Sequence, residues 1–267
     1  MKKNLFYILA LGMLLLINSI NLFANTCNLK VSDNNRFLVH EDGTPFFPMG
    51  DTGWKLPWRL NRQEASNYLQ IRKEQKFNLI CTVAFQMDIY DQHEITNIYG
   101  DQPFVIVSGK FDPTQPITTS GNDPNNATQY DYWDNLEYVI DTAASKGLYV
   151  ALLPCWGDSF VVDDSNEPSA SRIFNMANAY TYGQWIGSRF SDKTNIIWVM
   201  GGDTNPEGYT NTFRKMAEGV ADGVNGVNNN DGNADYSTTL MSSLDKTQFL
   251  TRIPDQDFRQ TRNRSRK

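Results

Sequence analysis

Only three of the 267 residues are cysteine and only two are histidine. Cys27, Cys81 and Cys155 stand at no metal-ligand or redox-motif spacing, so neither a disulfide framework nor a thiolate metal site is implied. Cys81 and Cys155 fall within apolar runs, where a thiol reads as a small buried side chain. With His40 and His93 alone, a histidine-dependent triad or a multi-histidine metal centre has too few members. A basic surplus is missing as well. Lys and Arg number 24 against 30 Asp and Glu, and a net charge of −6 argues against a nucleic-acid partner. There is no glycine-rich phosphate loop after the first strand pattern and no cofactor motif, so no cofactor is expected. Surface repeats and low-complexity linkers, the marks of an adhesive protein, are lacking too. Chemistry in this chain falls to carboxylates, and the ligand that fits an acidic, aromatic-rich chain is a neutral one such as carbohydrate.

Long hydrophobic runs are confined to the start. "MKKNLFYILALGMLLLINSINLFANTC" has Lys2 and Lys3, an apolar run from Leu5 to Ile17, then small and polar residues around Ala24. That is the pattern of an export signal, residues 1–24, and the run is shorter than the ~20 apolar residues of a membrane span. The expected location is periplasmic or secreted, with no membrane span after cleavage. A lipoprotein anchored at Cys27 is the weaker alternative, because "ANTC" lacks the usual leucine and small-residue spacing.

Beyond the signal, "LKVSDNNRFLVHEDGTPFFPMGDTGW" has short alternating segments broken by "DNN" and "EDG", the signature of a small β-ribbon. The pattern then changes to apolar strand, loop and amphipathic helix, repeated. Asn61 and Glu64 form a capping-box start for the first long helix. "FNLICTVAF", residues 77–85, is a strand, followed by a long loop from about Gln86 to Gln129 expected to cover a site. Leu136, Val139, Ile140 and Ala143 mark the next helix, with Gly147 where a left-handed cap is wanted. "LYVALLPCWGD" follows, then a helix with Tyr182, Trp185 and Ile186 on one face, then "NIIWVMGGD", then a helix carrying Phe213, Met216, Ala217 and Val220.

Continuous apolar strands alternating with amphipathic helices imply a parallel sheet covered by helices. Asp51, Asp158 and Asp203 each stand where a strand ends and a βα loop begins, the face on which barrel enzymes place their active sites. The expected fold class is therefore α/β of the (β/α)8 TIM-barrel type, of which about the first half is present, preceded by a short β-ribbon. Aspartate is also favoured in helix caps and turns, so each carboxylate has an ordinary structural reading. At Asp203 the two preceding glycines suggest close approach of a ligand to the backbone, with Gly202 as a binding position.

These motifs, together with "ASNYLQIRKEQKFNLICTVAF", "IYGDQPF", "YWDNLEYVIDTAASKGLYVALLPCWGD" and "NIIWVMGGDTNP", resemble the apiosidase-like glycoside hydrolases of Bacteroidetes over residues 28–242. The resemblance implies a retaining barrel hydrolase acting on plant cell-wall polysaccharide, namely pectin side chains. It also implies a general acid/base after the fourth strand, which falls on Asp203. A retaining enzyme needs a second carboxylate about 5 to 5.5 Å away. Glu207 and Glu218 are the next glutamates after Asp203, and neither is placed for that role. Asp51, Trp54, Asp88, Trp156, Asp158 and Gly202 are the expected substrate contacts. Trp58 and Asp101 are further candidates, and Asn205 reads as part of the turn before Pro206.

A fifth strand, "YSTTLMSS", is barely begun when the pattern changes. Residues 243–267 carry seven Lys or Arg and three acids, net +4, against −6 for the whole chain. We expect a hydrolase domain over 25–242 and a basic tail outside the family, consistent with a truncated or frame-shifted product. The alternative function is a non-catalytic carbohydrate-binding or vestigial barrel fragment.

Overall fold

The computed structural model describes residues 28–85, 96–157, 172–202 and 208–244. The chain opens with three short antiparallel strands, β1 (Leu29–Val31), β2 (Leu38–His40) and β3 (Pro45–Phe46), in the order β1-β2-β3. This is the ribbon that the alternating segments suggested.

A five-stranded parallel sheet follows: β4 (Gly50–Thr52), β5 (Leu79–Val83), β8 (Tyr149–Leu153), β9 (Ile196–Gly201) and β10 (Met241–Leu244). Its order is β10-β9-β8-β5-β4, so each strand pairs with its predecessor in the sheet, and every register is parallel. Helices α1 (Leu56–Arg59), α2 (Arg62–Glu74), α3 (Tyr132–Ser145), α4 (Ala179–Arg189) and α5 (Thr210–Val224) occupy the connections. Sequential parallel strands joined by helices make an α/β fold of the (β/α)8 type, and the described strands do not close into a barrel. "NIIWVMGGD" supplies the fourth strand of this sheet, as expected.

Local signals explain most of these elements. Asn61 Oδ1 accepts from the Glu64 amide and the Asn61 amide donates in turn to Glu64 Oε2, closing the capping box of α2. Asp131 and Asp134 form the same motif at α3. Gly147, with φ of 69°, sits in the left-handed conformation just past α3. Leu136, Val139, Ile140 and Ala143 are buried, as are Tyr182 and Ile186 of α4 and Phe213, Met216, Ala217 and Val220 of α5. Among the described residues no helix is long and apolar enough to cross a membrane.

The sheet buries both faces. Toward the helices, Ile80, Val150, Leu152, Trp198 and Met200 join the larger core. Toward the inside, Leu79, Val83, Tyr149, Ala151, Leu153, Ile197 and Val199 meet Leu29, Leu38 and Phe46 of the ribbon. Phe46 packs edge-on against Tyr149, the first residue of β8, with ring centroids 4.9 Å apart. The ribbon therefore covers the amino-terminal end of the sheet and leaves the carboxy-terminal end for the site.

The expected long loop after β5 contains regular structure. Within it, β6 (Phe104–Val107) and β7 (Lys110–Pro116) form an antiparallel hairpin whose register pairs Val107 with Lys110. The two-residue turn is Ser108–Gly109, with φ of 52° and 79°, the mirror-image turn that matches strand twist. Phe104, fully buried, anchors the hairpin among Phe85, Trp133, Phe174 and Tyr182.

Candidate functional site

The carboxy-terminal rim of the sheet is knitted by main-chain hydrogen bonds that continue past the strand ends. Gly53 N–H donates to the Cys81 carbonyl at 2.8 Å, and Ala84 N–H to that of Leu153 at 2.8 Å. Trp156 N–H donates to Phe85 O and Gly157 N–H to Gly201 O, each at 3.1 Å. On this rim the half-buried Trp54 and Trp156 meet edge to face, with ring centroids 5.3 Å apart, and both pack on the inner core. Two of the expected substrate contacts are thus brought together by the ends of β4 and β8.

Gly202 has a different neighbour from the ligand expected there. A Cβ on Gly202 would lie 2.9 Å from the Gly157 carbonyl oxygen, and one on Gly157 would lie 2.7 Å from the Gly201 carbonyl carbon. The close approach permitted by these glycines is between the loops after β8 and β9. Gly157 and Gly202 immediately precede Asp158 and Asp203 in sequence. Asp88, Asp158 and Asp203 themselves lie outside the described residues, as do Asn205 and Glu207.

Asp51 turns toward the helix layer. It is paired with Ile80 in register, so it shares the face on which Ile80 packs in the larger core. Its Oδ2 accepts from Tyr68 Oη at 2.8 Å and from Arg72 Nε, both on α2. Burial pushes the Asp51 carboxyl up, but the bonds from Tyr68 and Arg72 outweigh this and hold it below the ordinary 3.8. The structure gives Asp51 the work of tying β4 to α2.

Trp58, on α1, is 4% exposed and belongs to the helix-side core, which is the structural reading of that residue. Asp101 closes a tight turn, donating its amide to Asn97 Oδ1 and accepting from Asn97 Nδ2, each at 3.0 Å, and burial pushes its carboxyl above the usual range. Glu218 on α5 accepts from Gly232 N–H at 2.7 Å and pairs with Lys215 at 2.9 Å. It is buried and ties α5 to the turn at Gly232. Among the described residues no group of three His, Cys, Asp or Glu side chains could hold a metal ion.

Two features were missed in the sequence. One is a pair of buried tyrosines, Tyr132 and Tyr182, which donate to the carbonyls of Ala84 and Pro154 at 2.9 and 2.7 Å. The other is a glycine seam in which Gly183 and Gly187 of α4 face Gly219 and Gly223 of α5, where any Cβ would fall 2.2 to 2.4 Å from main-chain oxygen. The repeated four-residue spacing of those glycines was the available signal.

A parallel sheet with helices in its connections and an aromatic pair at its carboxy-terminal rim defines an α/β domain of the (β/α)8 class. The comparisons resolve this class to a family. The model of the apiosidase-like catalytic domain matches residues 32–256, so the chain belongs to the apiosidase-like glycoside hydrolase family. A solved glycoside hydrolase family 5 protein from Bacteroides vulgatus is 28% identical, with a TM-score of 0.55 over 81% of this chain and 38% of its own. Another solved structure, described as a glycoside hydrolase, is 31% identical, with a TM-score of 0.56 over 82% of this chain and 41% of its own. The chain thus spans about two fifths of the length of these relatives. No curated protein matches it.

Proposed function

We propose that the rim is the substrate site of an exported glycoside hydrolase domain directed at plant cell-wall polysaccharide, specifically pectin side chains. Asp203 is the general acid/base of a retaining mechanism in this reading. The observation that carries it is the Trp54–Trp156 pair at the ends of β4 and β8, on the same rim as the loop that leads from β9 to Asp203. Aromatic faces stack on sugar rings, while an acid/base at the edge of an apolar strand has its charged form disfavoured by desolvation. The acid must carry its proton when the leaving oxygen departs.

A retaining reaction further needs a nucleophilic carboxylate about 5 to 5.5 Å from the acid/base. Among the described residues none is presented for that role, since Asp51 faces α2 and Glu218 is held on α5. The part of this reading that the described residues carry is therefore binding at the rim. Solubilised pectin titrated against the chain should quench tryptophan fluorescence, and Trp156→Ala should abolish that response. In a longer relative, replacing the aspartate aligned with Asp203 should abolish release of sugar from substrates with poor leaving groups. Full activity of that variant, or no pectin binding by the present chain, would sink the reading.

A further inference from the structure

Burying a phenol hydroxyl costs free energy unless it finds an acceptor, and phenylalanine would fill the same space without that cost. At three successive strand–helix units a tyrosine is nonetheless used, and each reaches back to the strand its helix follows. Tyr68 of α2 bonds Asp51 in β4, Tyr132 of α3 bonds the carbonyl of Ala84 after β5, and Tyr182 of α4 bonds that of Pro154 after β8. Ala84 and Pro154 are each the first residue beyond their strand.

Both carbonyls lie close along the chain to the main-chain bond that holds Trp156. Ala84 leads directly to Phe85, whose carbonyl receives the Trp156 N–H, and Pro154 stands two residues before Trp156. Proline has no N–H, so the Pro154 carbonyl is the only main-chain hydrogen-bonding group with which that residue can be held. Resting on the carbohydrate reading of the rim given above, we propose that Tyr132 and Tyr182 are positioning residues, setting through Ala84 and Pro154 the main chain from which Trp156 meets its ligand. Burial pushes both phenols well above the ordinary 10.0, which keeps them protonated donors throughout the working range of pH. Tyr180 provides a comparison within α4. Its hydroxyl is also bonded, to Asp222 at 2.7 Å, but at the α4–α5 interface instead of a strand end.

The test is made on the full chain with Tyr182→Phe, Tyr132→Phe and Tyr180→Phe. The primary readout is the exciton signal of the Trp54–Trp156 pair in circular dichroism, isolated as the difference between the parent and Trp156→Phe. The secondary readout is binding of solubilised pectin. Tyr182→Phe and Tyr132→Phe are expected to lose most of the exciton amplitude and to bind pectin about tenfold more weakly, since small misplacements of a binding group are costly. Tyr180→Phe should lower stability while leaving both readouts unchanged. Should Tyr182→Phe fail to fold, Tyr132→Phe carries the same test through Phe85. An exciton signal that survives both strand-end substitutions overturns the proposal and leaves the hydroxyls a purely structural role. If the signal is lost but the parent binds no pectin, the positioning stands and the carbohydrate reading of the rim falls.

Discussion

Replacing Gly219 with alanine sets two physical effects of opposite sign against each other. In an isolated helix the change is favourable by up to about 1 kcal/mol, because glycine has the larger conformational entropy to lose. Here the new Cβ would be 2.2 Å from the Tyr180 carbonyl oxygen and 2.7 Å from the Gln184 amide nitrogen. Both are main-chain atoms of α4, so no rotamer change relieves the overlap, and the helices must separate by roughly 1 Å to restore van der Waals distance. Separation loosens the packing of Tyr182, Ile186, Met216 and Val220, all essentially inaccessible to solvent. Overpacking of a tight core costs about 1–3 kcal/mol and backbone clashes lie at the upper end, so the net expectation is a destabilisation of about 2 kcal/mol. For a domain of this size that corresponds to a fall in Tm of about 4–8 °C. Urea unfolding followed by helix ellipticity is the assay, with Gly183→Ala as the reciprocal substitution on α4. A Gly219→Ala variant as stable as the parent, or more stable, would mean that propensity governs the site and that the helices do not touch through their backbones.

Four further outcomes are expected. Ser108→Asn would give the hairpin the Asn-Gly pair its turn conformation favours, raising stability by about 0.5 kcal/mol in thermal unfolding. Arg189→Met would leave Asp134, 5% exposed, without its 2.8 Å partner and should cost about 2 kcal/mol, whereas Lys193→Met, acting on more exposed acids, should cost less than about 1 kcal/mol by the same measurement. On the acid side, the depressed Asp51 carboxyl adds stability that is complete above pH 3.8 and lost as the pH falls through its lower folded value; Asp51→Asn should remove that part of the acid-unfolding slope. On the alkaline side, burial raises Tyr68 and Tyr180 to about 12, so the stability they add is full below pH 10.0 and lost as the pH climbs through about 12. Tyrosinate absorbance should accordingly rise in two stages, the second coinciding with unfolding.

The elements that could be read in the sequence were those written in local chemistry. The Asn61–Glu64 capping box, the left-handed Gly147 and the apolar faces of α3, α4 and α5 each depend on residues within a few positions of one another. The hairpin was hidden because Ser108 occupies a left-handed position without being asparagine or glycine. The direction of Asp51 was hidden for another reason. Its strand, β4, is a three-residue edge strand too short to show an alternation, and only pairing with Ile80 fixes which way its side chains face. Nor does a glycine's sequence position tell what will approach it. At Gly202 it is Gly157, and at Gly219 it is Tyr180, contacts across 45 and 39 residues of chain that are settled only by the packed fold.

The main-chain bonds of the rim also bear on the kind of ligand proposed for it. The amides of Gly53, Ala84, Trp156 and Gly157 all point along the sheet to neighbouring carbonyls. They are therefore turned away from any molecule arriving from solvent, unlike the convergent N–H groups of an anion-binding nest. A phosphate or other compact anion finds no cradle on this stretch. In the proposed reading, contact on this stretch falls to the ring faces of Trp54 and Trp156, which suit an uncharged, hydroxyl-bearing surface met by shape more than by charge.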